Sequence, residues 1–118
     1  MFSNGCAMAD DLSPEKVGIV YYFGFKIEPI AGMPEQYIEE YGDKYSIERF
    51  CFFDVITKAV DVNKYEKRNV RAKITFNSEA PFYIDKEGNV SHEDQFYRVD
   101  KEKFVRCLKF ISKSTHSP

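Results

Sequence analysis

In residues 17–27, VGIVYYFGFKI, apolar side chains fall on alternate positions. Val17, Ile19, Tyr21, Phe23, Phe25 and Ile27 share one face of an extended chain, and Gly18, Val20, Tyr22, Gly24 and Lys26 share the other. Period two over this length predicts a strand with the first face inward. The glycines on the second face mark a bend, a bulge or the close approach of another backbone. Residues 70–76, VRAKITF, alternate again, with Val70, Ala72, Ile74 and Phe76 inward and Arg71, Lys73 and Thr75 outward. Between these two, SIERFCFFDVITKAVDV (46–62) is almost continuously apolar and rich in aromatic and β-branched residues. It predicts a buried central strand, although periodicity alone does not separate such a run from a helix.

Helical spacing is confined to two places. In PEQYIEEYG (34–42), Pro34 suits the first helical position and Gly42 the position just past the end, with Tyr37, Ile38 and Tyr41 on the buried side. Near the C-terminus, Val99, Asp100 and Phe104 fit a hydrophobic staple around a capping aspartate. Phe104, Cys107, Leu108 and Ile111 then form a stripe opposite Lys103, Arg106, Lys109 and Lys113. FYID (82–85) and FYRV (96–99) read as two short strands of a hairpin around KEGN, where Gly88 and Asn89 tolerate positive φ. The expected fold is α+β: an antiparallel sheet of about four to five strands, with a short helix and a C-terminal amphipathic helix packed on one face. Residues 1–13 are expected to be a flexible N-terminal extension, 14–112 a single domain, and 113–118 a disordered tail.

Composition supports a self-sufficient core, since 118 residues include 11 Phe and 8 Tyr. Cys6, Cys51 and Cys107 are odd in number, widely spaced and without a C-x-x-C pair. They are read as reduced thiols of a cytoplasmic protein, two of them buried. The N-terminal stretch has no basic region and no apolar run of signal-peptide length, and no segment reaches the ~18 apolar residues that cross a bilayer.

Candidate chemistry is sparse. YIDKEGNVSHEDQFYRVD (83–100) gathers Asp85, Glu87, His92, Glu93 and Asp94 around Gly88. With Gly88 at the sixth place of a calcium loop, Tyr83 occupies the first, where a carboxylate is needed. A single histidine there also falls short of a zinc or iron set, and His92, Glu93 and Asp94 diverge if that stretch is extended. The segment therefore reads as a turn, with no metal and no cofactor implied. No nucleophile elbow, phosphate loop, H-E-x-x-H or dinucleotide fingerprint occurs. YFGF (22–25 within YYFGF) overlaps the aromatic core of the RNA-binding RNP1 pattern but lacks its basic lead, and the rings read as core.

Charge changes the picture. The net value of −2 hides eight acids against two bases in residues 1–43, and an excess of bases thereafter. Glu28, Glu35, Glu39, Glu40 and Asp43 occur without a base and interleave with Tyr37 and Tyr41. Acids near the end of a short helix oppose its dipole, which suggests that they serve a partner. The leading expectation is a non-enzymatic protein-binding module, inhibitor- or immunity-protein-like, docking a basic partner through Glu35, Tyr37, Glu39, Glu40, Tyr41 and Asp43. The alternative is a nucleic-acid-binding protein whose Lys67, Arg68, Arg71, Lys73, Arg106 and Lys109 hold phosphates, using strand 70–76 and the last helix. A second alternative is a small hydrolase or nuclease centred on His92, with Glu93 as its carboxylate.

Overall fold

The computed structural model describes residues 16–27, 32–59 and 64–114. They form one antiparallel sheet of eight strands: β1 (Val17–Tyr22), β2 (Asp43–Glu48), β3 (Ile56–Ala59), β4 (Val70–Thr75), β5 (Phe82–Asp85), β6 (Asn89–His92), β7 (Gln95–Val99) and β8 (Lys109–Ser112). Their order across the sheet is β3-β7-β6-β5-β4-β1-β2-β8. Three short α-helices accompany them, α1 (Ile38–Tyr41), α2 (Arg49–Val55) and α3 (Lys101–Cys107), with a 3-10 turn, η1 (Glu35–Tyr37), leading into α1.

This corrects the expected four to five strands with a long C-terminal helix. The apolar run from residue 46 is not one strand but β2, α2 and β3 in succession. Phe52 and Val55, three apart, are buried, whereas Phe50 and Phe53 are turned out, which is a helical and not a strand pattern. The C-terminal helix stops at Cys107, and the chain turns into β8, an edge strand whose four residues are all exposed. Pairing with β2 supplies backbone hydrogen bonds there, so Ile111 leaves the predicted stripe, while Leu108, at the end of the helix, still packs against the core. The expected hairpin is a three-stranded meander. KEGN joins β5 to β6, and Glu93 and Asp94, both at positive φ, make a second tight turn from β6 to β7.

The connections dictate the curvature of the sheet. β2 and β3 lie six strands apart, about 29 Å in a flat sheet at ~4.8 Å per strand. Yet α2 alone links them, and its seven residues span only about 10 Å. The sheet therefore curls, and its ends converge on the side occupied by α2. α3 makes the reverse crossing from β7 to β8 on the same concave side. The two crossover helices are joined by a disulfide between Cys51 and Cys107, with a Cα–Cα distance of 5.9 Å. Both cysteines were expected to be reduced, and the structure corrects this.

Both faces of the sheet are loaded. The concave core packs Val20, Ile47, Ala72, Ile74, Phe76, Phe82, Ile84 and Val90 against Phe52 and Val55 of α2 and Phe104 and Cys107 of α3. A smaller convex cluster holds Phe23, Met33, Ile38 and Val70, bordered by Tyr21, Tyr41, Tyr65 and Tyr83. The deep face of β1 is thus the Gly18–Val20–Tyr22 face, the reverse of the sequence expectation. Gly18 is required there because a Cβ would lie 2.6 Å from the Phe76 ring. The strand ends at Tyr22, and Gly24 at φ +106° separates Phe23 on the convex side from Phe25 on the concave side. A register shift in β4 between Val70 and Ala72 likewise turns Val70 to the convex cluster.

Other local expectations hold. Asp100 caps α3 by accepting a hydrogen bond from the Lys103 N–H at 3.1 Å, with Val99 and Phe104 buried in the same core. Gly42, by contrast, is extended (φ −79°, ψ 144°). Glycine is needed there because a Cβ would lie 2.9 Å from the Ile38 carbonyl oxygen and from the Tyr22 nitrogen. The expected extension 1–13 lies outside the described residues, as do residues 115–118 of the expected tail. Ser114 is tied to Asp43 and Glu40 by hydrogen bonds.

Candidate functional site

The acidic, tyrosine-bearing segment forms a ridge across the convex face, with η1 and α1 seated on the sheet through buried Ile38. Glu35 accepts a hydrogen bond from the Tyr65 hydroxyl at 2.6 Å. Burial, then the bond to Glu35 and the charges of Glu35 and Asp85, push the Tyr65 pKa well above its usual value. Glu39 forms an ion pair with Lys73. Burial works against the Lys73 charge, but the hydrogen bond it donates to Glu39 and the neighbouring Tyr83 and Tyr21 outweigh it and raise its pKa. Asp43 accepts a hydrogen bond from the Ser114 N–H at 2.8 Å, and the Ser114 hydroxyl donates to the Glu40 carbonyl at 2.7 Å. Glu28 lies outside the described residues. Tyr41 is half-buried, whereas Tyr37, expected on the buried side, is 43 % exposed. The ridge therefore presents Tyr37 and Glu40, while its other acids hold it in place.

Cations flank the ridge. Lys67 and Arg68 share a concavity of about 390 Å³ with Pro34, Glu35 and Gln36. Lys44 and Lys113 share one of about 200 Å³ with Tyr21, Glu39 and Glu40. The expected phosphate-binding residues are not gathered into one stripe. Arg71, expected to face solvent, is fully buried, with its guanidinium 6.0 Å from the Phe23 ring and Nη1 donating to the Val70 carbonyl at 3.3 Å. Lys73 is held by Glu39. Arg106 is exposed on α3 and Lys109 on the edge strand β8, away from Lys67 and Arg68 beside η1.

In the 83–100 stretch, Asp85 is fully buried and organises the turn. Its carboxylate accepts hydrogen bonds from the backbone N–H groups of Glu66, Glu87 and Asn89 and from the Asn89 side-chain amide, all within 3.1 Å. His92 stacks on Phe82 with ring centroids 3.7 Å apart and planes within 6°. The structure does bring His92 and Glu93 together, with Nε2 3.2 Å from the carboxylate. The positive φ of Glu93 bends it back, so the stretch is not extended there. Among the described residues no three His, Cys, Asp or Glu side chains gather where they could hold a metal ion.

A feature the sequence reading missed lies on α2. Phe50 is 88 % exposed and Phe53 41 % exposed, and with Glu48, Cys51 and Asp54 they line an open groove of about 570 Å³. Phe53 is braced by Phe76, Phe82 and Phe52, while Phe50 projects freely. The three-residue spacing of Phe50 and Phe53, out of phase with Phe52 and Val55, is the signal that could have found them. No family model, curated protein or solved structure matches this chain.

Proposed function

We propose that this protein is a non-enzymatic protein-binding module of the inhibitor or immunity type that docks a basic partner through the convex ridge. The observation that carries the reading is that Tyr37 and Glu40 stand out on a ridge already pinned by Glu35–Tyr65, Glu39–Lys73 and Asp43–Ser114. A ridge fixed before binding loses little side-chain and loop entropy on docking, and a protruding tyrosine beside an acid suits an interface anchor. Because Lys44, Lys67, Arg68 and Lys113 surround it, the long-range field is weak, and the affinity resides in the dissociation rate more than in electrostatic steering. Among the described residues no helix is long and apolar enough to cross a membrane. The cytoplasmic setting expected from the sequence fits less well than an oxidising compartment, because the Cys51–Cys107 bond persists in the latter.

The test is a Tyr37→Ala/Glu40→Lys variant, both positions being exposed, measured against the partner isolated by affinity capture from the native source. At least about tenfold faster dissociation is expected. Unchanged affinity and rates would remove the ridge from the interface.

A further inference from the structure

We infer that the outer side of α2, on the opposite side of the sheet from the ridge, is a second docking surface that takes a cationic helical segment with an apolar anchor from another protein. A single exposed phenylalanine needs no explanation. Here, however, Phe50 and Phe53 lie one turn apart on a helix whose intervening residues are immobilised, Cys51 by its disulfide and Phe52 by full burial. Both are therefore presented on the outer side of a backbone that is fixed in place.

Charge selects the occupant. Glu48 precedes the helix and Asp54 follows six residues later, about 9 Å along the axis, so an acid stands at each end of the aromatic pair. Neither has an ion pair among the described residues, whereas the intervening Arg49 donates two hydrogen bonds to Glu79, at 2.6 and 3.2 Å, and lies over the Phe53 and Phe76 rings. The groove is thus apolar in the middle and anionic at both ends. A second copy laid antiparallel across it would set Glu48 against Asp54, and an anionic lipid surface or a nucleic acid would meet the same repulsion. A helix carrying apolar side chains at i+3 and i+4 between lysines or arginines at i and i+7 matches the groove, because two turns span about 10 Å.

The probe is a fluorescein-labelled amphipathic peptide of lysine, leucine and alanine with that spacing, titrated by anisotropy into the intact, oxidised protein. Its controls replace every leucine by serine, or every lysine by glutamate. Binding of the lysine/leucine peptide alone is expected, weakened at least about tenfold by Phe50→Ser and, separately, by Glu48→Lys/Asp54→Lys. Both substitutions are at exposed positions, so the fold survives them. Tyr37→Ala/Glu40→Lys leaves this binding unchanged, which separates the surface from the ridge. No binding at millimolar peptide, equal binding of the serine control, or binding indifferent to Phe50→Ser overturns the proposal. So does sedimentation showing a dimer, or cosedimentation with phosphatidylserine vesicles, that Phe50→Ser abolishes, since either assigns the surface to another occupant.

Discussion

Removing the Cys51–Cys107 bond tests the architecture most directly. The bond closes a loop with a sequence separation of 56, which contains β3 to β7 and both crossovers. Restricting the unfolded chain over a loop of that length contributes about 4 kcal/mol in the chain-entropy account. That is a large fraction of the ~5–15 kcal/mol by which a domain is stable. With a urea slope of about 1–3 kcal/mol/M, the midpoint falls by roughly 1–4 M on reduction. The slope itself increases, because a chain freed of its cross-link unfolds to a more open state. Cys51→Ala/Cys107→Ala reproduces the loss without reductant, and the small Ala side chains leave Phe52 and Phe104 free to pack. The assay is urea unfolding followed by tyrosine fluorescence, oxidised, reduced and as the double variant, alongside thiol titration of the unfolded, unreduced chain. At most one thiol per chain is expected. Three reactive thiols, or coincident oxidised and reduced midpoints, would refute the pairing of the two crossover helices.

Gly18→Ala places a Cβ 2.6 Å from Phe76 and 3.0 Å from the Thr75 carbonyl oxygen, and should lower stability by about 1–3 kcal/mol by overpacking, read from the urea midpoint. Asp85→Ala strips acceptors from three backbone N–H groups at a fully buried site and should cost about 3–5 kcal/mol, with faster amide exchange at Glu66, Glu87 and Asn89; protection unchanged at those amides contradicts the buried network. Tyr65→Phe removes the bond to Glu35, worth about 1.5–3 kcal/mol at neutral pH. The raised folded pKa of Tyr65 gives a sign as well: the folded chain holds the proton that the unfolded chain releases above pH 10, so this stability is complete below pH 10 and declines above it. Thermal melts from pH 8 to 11 should show a steeper alkaline fall in the parent than in Tyr65→Phe.

The sequence made the strand at residues 70–76, with Ala72, Ile74 and Phe76 on its inward face, the capping Asp100 and the turn at Gly88 legible, because each is a local signal, although Val70 and Arg71 depart from that alternation. It did not reveal which face of β1 is deep. Val17 to Phe23 and Val20 with Tyr22 are apolar on opposite faces, and a sheet loaded on both sides makes either phase plausible. The run after Ser46 misled for a related reason. Its aromatic residues satisfy strand propensity, yet Phe50 and Phe53 are outside while Phe52 and Val55 are inside, and only a helix permits that. The burial of Arg71 depends on its neighbours across the sheet, Phe23 among them, which no local pattern encodes. For the ridge, composition located the acids, whereas their partners Tyr65, Lys73 and Ser114 lie 30 or more residues away in sequence.

The disulfide and the exposed phenylalanines belong to one physical problem. α2 has seven residues, about two turns, and a helix that short does not hold together by itself in water. It exists because the curl of the sheet leaves only a short path between β2 and β3, and because Phe52 and Cys51 fix it from below and from the side. Helical geometry then forces the residues flanking those anchors, Phe50 and Phe53, outward, so Phe50 is exposed as a consequence of how the crossover is secured. A hydrophobic side chain displayed by so rigid a support costs little entropy to dock. The same bond that closes the fold therefore sets the orientation of the surface: after reduction, peptide binding at α2 should weaken before the sheet unfolds, whereas the ridge, held by Tyr65 and Lys73 on the other face, should keep its affinity.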